Sequence, residues 1–85
     1  MDKATKKMFR VGGAQTFASN LKRLRDEKGL SQEALGSRVG LHRTHIGYLE
    51  NGDRQPWLPT IYLVAAALEV DAGELLAGFE PPPLD

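Results

Sequence analysis

The chain of 85 residues contains no cysteine. Disulfides and thiolate metal sites are therefore excluded, and stability must come from helix packing. No stretch approaches the roughly 18 consecutive apolar residues of a membrane span. The basic start, 1–10, lacks the apolar segment of a secretory signal, so a cytoplasmic protein is expected. There is no internal repeat. No nucleophile–base pair, paired carboxylates in a cleft or phosphate-binding loop is visible, so neither an enzyme nor a cofactor is expected. Basic residues are missing from one part of the chain. All 11 lysines and arginines, with six acids, lie in 1–54, a net of +5; 55–85 holds five acids and no base, a net of −5. The overall charge of zero thus hides a basic half suited to phosphate and an acidic half suited to solvent or a partner.

What is present has helical spacing, with 41% hydrophobic and 26% charged residues, as in a globular protein of one domain. The stretch 31–52, SQEALGSRVGLHRTHIGYLENG, reads as a helix, a glycine turn, a second helix and a glycine stop. Ser31 is placed to cap a helix over 32–39, with Ala34, Leu35 and Val39 inward. Gly40 stands where the chain must leave that helix. The next helix is expected over 42–51, stopping at Gly52. Two helices joined by a connection of about three to four residues form a helix-turn-helix. Gly36 lies inside the first of them and costs roughly 1 kcal/mol against Ala; close approach of a neighbouring helix is the expected compensation.

Around this unit a helix is expected over 16–28, with Phe17, Leu21 and Leu24 as its stripe, Ala18 widening it and Gly29 ending it. Another is expected over 59–68, opened by Pro59, with Leu58, Ile61, Val64, Ala65 and Leu68 turned to the core. Asp71 and Glu74 are spaced like a capping box before a short fifth helix carrying Leu75, Leu76 and Phe79. The organisation is then a basic N-terminal arm over 1–13, an all-α domain over 14–79 and a proline-rich tail over 80–85.

At about 100° per residue, Ile46 and Leu49 of the 42–51 helix share one side with Glu50, while Thr44, Tyr48 and Asn51 share the other. The outward side carries hydroxyls, an amide and an imidazole and almost no charge, unlike a helix that is merely solvated. Base identity is read through such donors and acceptors in the major groove. Arg43 suits guanine O6 and N7, or else a phosphate. Thr44 can bond a base edge or pack its methyl on thymine. Tyr48 can reach a base or phosphate, or pack on Tyr62 or the following loop. His45, Asn51 and Arg54 are candidates for backbone contacts, which set register rather than sequence. His42 and His45 lack a third ligand, so no metal site is expected. The lone tryptophan, Trp57, follows Pro56 in a loop; with Leu76 and Phe79 it is the candidate two-fold interface.

The combination of S-Q-E-x-L opening the second helix and L-E-N-G closing the third resembles the Cro and phage-repressor type of helix-turn-helix domain, the XRE family. The resemblance covers about 17–78, including PWLPTIYLVAAALEVDAGELL. It implies a compact five-helix phage-repressor-like DNA-binding domain, with the helix-turn-helix at helices two and three. It also implies a homodimer that sets two copies of the third helix in a double-stranded palindromic operator, acting as a transcription regulator such as a repressor. By the same resemblance Gln32 would contact a phosphate, Arg43, Thr44 and Tyr48 would read bases, Asn51 would contact the backbone, and Arg25 and Glu50 would form an ion pair tying the first helix to the third. No small-molecule ligand is implied. The sequence departs from the pattern at Gly36, where Ala is usual, at Gly47, where a polar residue often adds contacts, and at His42, where Ser or Thr usually caps the helix. A protein-interaction adaptor of the same fold is the alternative reading.

Overall fold

The computed structural model describes residues 14–80; the expected arm over 1–13 and the tail beyond residue 80 lie outside the described residues. Five helices follow in order: α1 (Ala14–Glu27), α2 (Gln32–Val39), α3 (Arg43–Asn51), α4 (Leu58–Leu68) and α5 (Ala72–Leu75). Among the described residues there is no strand, so the fold is all-α. α1 begins two residues earlier than the periodicity predicts, and Ala14 at its start is fully buried.

Each boundary has a local cause. At the end of α1, Gly29 takes a left-handed φ of 70° and the Leu30 N–H donates back to the Arg25 carbonyl at 3.2 Å. The Ser31 hydroxyl accepts from the Ala34 N–H at 2.9 Å and opens α2. Gly40, at φ 76°, closes it, and the Leu41 N–H donates to the Gly36 carbonyl at 2.9 Å. His42 caps α3, as its place in the sequence implies: Nδ1 accepts from the Thr44 N–H at 3.0 Å, as a Ser or Thr oxygen would. Pro59 lies in the first turn of α4, where its missing N–H costs nothing. Glu69 ends that helix at φ 58°, a left-handed conformation without glycine's freedom. The Glu74 carboxylate accepts from the Asp71 N–H at 3.2 Å at the start of α5.

Packing brings α1 and α2 against α3, α2 against α4, and α5 against α1 and α4. The shared core holds Phe17, Leu21, Leu35, Ile46, Leu49, Val64, Leu68 and Leu75, with Leu30, Val39 and Leu41 closing its edge. Two polar side chains pin the outer helices. Asn20 Nδ2 donates to the carbonyls of Leu75 at 3.0 Å and Ala77 at 2.8 Å, holding α5 on α1. Arg38 Nη1 donates to the Ala67 carbonyl at 3.3 Å, near the negative end of α4.

Two expectations need correction. Leu58 does not face the core: it is 62% exposed. α4 is apolar nearly all round, so spacing alone cannot tell its inner side, and the core takes Ile61, Val64, Ala65 and Leu68. Gly36 is compensated by the turn rather than by a neighbouring helix. A β-carbon there would overlap the Leu41 carbonyl oxygen and approach the Arg43 nitrogen at 3.5 Å. Glycine at position 36 is what lets α3 leave so tightly after α2.

Candidate nucleic-acid interface

α3 is set by its buried side. Ile46 and Leu49 are fully enclosed, and Glu50 is buried beside them. A buried carboxylate must be paired. The Arg25 guanidinium meets Glu50 side-on, Nε to Oε2 and Nη2 to Oε1, the latter at 2.9 Å, in a bidentate pair. The third donor, Nη1, reaches the Leu30 carbonyl at 2.7 Å. The hydrogen bond with Glu50 is the main cause that raises the Arg25 pKa above its ordinary value, against the opposing effect of burial; the charges of Glu50 and Asp26 add to the rise. Among the described residues no buried side-chain nitrogen or oxygen lacks a partner. The pair therefore fixes the rotation of α3 about its axis and so decides which residues face out.

Those that face out are Arg43, Thr44, Tyr48 and Asn51, all exposed. With Gln32 and Gly47 they line one shallow depression across the start of α2 and the outer side of α3. Gln32 is half-buried, and its Nε2 donates to Glu50 Oε1 at 3.0 Å. This bond was not visible in the sequence, because Gln32 and Glu50 belong to different helices with no shared spacing rule. It leaves the amide oxygen of Gln32 over Gly47, where an added β-carbon would sit 3.8 Å away in ordinary contact. Arg43 lies 4.0 Å from Glu33, both exposed, a pair that water screens.

His45 is half-buried and lines a second depression with Arg54, Gln55, Trp57 and Thr60. The loop after α3 thus puts Arg54 and Trp57 beside His45. Leu76 and Phe79 are not among the walls of this depression; contrary to expectation neither is carried by α5, which ends at Leu75, and they are 45% and 38% exposed beyond it. Trp57 is 80% exposed, and Leu58, Tyr62 and Leu63 extend an apolar surface from it along the outer side of α4. The Tyr48 ring meets the loop, with the Arg54 guanidinium carbon 4.8 Å from its centroid.

The same architecture is found in known proteins. The helix-turn-helix family model matches residues 21–75. An uncharacterized HTH-type transcriptional regulator, y4dJ, of Sinorhizobium fredii is 42% identical over 65 residues, covering 76% of this chain and 84% of that protein. The control protein C.SmaI of Serratia marcescens is 39% identical over 62 residues, covering 73% and 74%. The crystal structure of the restriction-modification controller protein C.AhdI from Aeromonas hydrophila superposes with a TM-score of 0.71 at 40% identity, covering 73% of this chain and 94% of that one.

Proposed function

Because the chain belongs to the XRE-type helix-turn-helix family of DNA-binding transcription regulators, we propose that it binds a palindromic operator as a homodimer, with α3 in the major groove. The observation that carries this reading is the outward side of α3, where Arg43, Thr44, Tyr48 and Asn51 surround one depression with Gln32. Arg43 would contact guanine O6 and N7, worth about 1–3 kcal/mol of discrimination. Thr44 and the Tyr48 hydroxyl would complete the base contacts. Gln32, at the N-terminal end of α2, would meet a phosphate where backbone N–H groups and the helix dipole favour an anion. His45, Asn51 and Arg54 would hold the flanking backbone and set the register.

The homodimer would join through the apolar surface of Trp57, Leu58, Tyr62 and Leu63, continued by Leu76 and Phe79. Their exposure supports this, since a surface helix of a monomer rarely carries so many large apolar side chains. Such a dimer would separate the half-sites by about 34 Å, one helical turn of DNA. The names of the similar controller proteins favour a restriction–modification setting over a phage repressor or an antitoxin. The protein would then act at the chromosome in the cytoplasm, without catalysis. Selection from random duplexes tests the reading. A two-fold symmetric sequence should emerge, and Arg43→Ala should relax it at one base position in each half. Recovery of no common sequence would contradict operator reading and favour an adaptor that uses this fold for protein contacts.

A further inference from the structure

We propose that Tyr48 is a positioning residue for Arg54: one face of its ring holds the guanidinium ready for a DNA phosphate. The role rests on the operator reading above, and it differs from any base contact made by the Tyr48 hydroxyl. The backbone creates the juxtaposition. Gly52 turns the chain at φ 75°, and the Asp53 N–H donates to the Tyr48 carbonyl at 3.0 Å. The chain therefore doubles back, and residue 54 returns over residue 48. The Arg54 guanidinium carbon then lies 4.8 Å from the ring centroid, inside the range of about 6 Å where a cation is attracted to an aromatic face. Among the described residues no carboxylate stands within 4.0 Å of Arg54, so no ion pair competes for it. Both side chains are exposed, and the ring borders the depression on α3 while Arg54 borders the one beside His45. The guanidinium is thus parked at the edge of the proposed interface.

Two consequences follow. An arginine ordered before binding loses less side-chain freedom when it meets a phosphate. The ring face under Arg54 is occupied, which leaves the opposite face, the edge and the hydroxyl of Tyr48 for a base. Tyr48 would therefore contribute twice, with separable chemistry: the hydroxyl to sequence, the ring to phosphate affinity.

The test compares Y48F, Y48L, R54A and Y48L/R54A. In the free protein, the Arg54 side-chain methylene protons should show an upfield ring-current shift in wild type and Y48F, and lose it in Y48L. On duplex DNA, Y48L should bind about two- to fivefold more weakly than Y48F, which already lacks the hydroxyl, on selected and scrambled sequences alike, and lower the salt slope by up to about 1. Y48F should keep the wild-type slope, and on scrambled duplex the double variant should bind no more weakly than R54A. Losses of Y48L and R54A that multiply on scrambled duplex, or Y48L binding equal to that of Y48F, would overturn this role alone. Absence of any duplex binding by the wild type would overturn the operator reading and this role with it. An unshifted Arg54 in the wild type would remove the contact itself, whatever the DNA result.

Discussion

Gly36 and Gly47 lie in the two helices of the same motif, yet a methyl group added at each meets opposite surroundings. At position 36 it would overlap the Leu41 carbonyl oxygen, which is backbone and cannot swing aside. Gly36→Ala should therefore destabilise by about 1–3 kcal/mol despite its better helix propensity. At position 47 it would meet only Gln32 at 3.8 Å. Gly47→Ala should stabilise by about 0.5–1 kcal/mol. Thermal melts of the two variants, moving in opposite directions, check both; a fall for Gly47→Ala would show that the space over Gln32 is not free. Glu69 is the converse case, a side chain in a left-handed conformation at φ 58°. Glu69→Gly should raise stability by about 1 kcal/mol. His42 caps α3 through Nδ1, which accepts from the Thr44 N–H. Its replacement by Ala should cost about 1 kcal/mol, while Asn, which also supplies an acceptor, should restore most of the loss in the same melt.

At the scale of elements, α3 is oriented by one ion pair. Glu50→Ala would leave the Arg25 guanidinium buried without its partner, at a cost of about 3–5 kcal/mol. It would also free Gln32, so binding should fall beyond what the loss of folded protein explains. A variant that melts like the parent would show that the pair contributes nothing. Because the folded-state pKa of Arg25 is raised, its share of stability is complete below the ordinary arginine value and is lost only as pH rises beyond it. The Arg25–Glu50 coupling from a double-mutant cycle should accordingly be equal at neutral pH and at about pH 10. The helices themselves were legible because their punctuation is local: Ser31, Gly40 and Gly52 each act on the turn beside them. Arg25 and Glu50 could be paired beforehand only through the family resemblance. Leu58 was misplaced because α4 is apolar on every side and its period carries little direction. The Asn20 clamp on Leu75 and Ala77 joins residues more than fifty positions apart and leaves no mark in local spacing. The hold of Tyr48 on Arg54 was hidden by a turn whose direction depends on Gly52.

At the scale of the whole molecule, the sequence divides into a basic half, which includes the helix-turn-helix, and an acidic half. Phosphate contacts by the basic half would make affinity fall steeply with salt. The exposed apolar side of α4, from Leu58 to Leu63, predicts association. Wild type should sediment as a dimer at micromolar concentration. Leu58→Glu with Tyr62→Glu should give a folded monomer with weakened operator binding; a dimer that survives both changes would move the interface to Leu76 and Phe79. The central claim, that α3 reads sequence, is tested most directly by one competition measurement. A labelled duplex carrying the selected site is titrated at fixed salt, then challenged with unlabelled site or scrambled duplex of equal length. The account predicts that the scrambled competitor is weaker by about 10³ or more. A ratio below about tenfold, far short of typical specific binding, would contradict it.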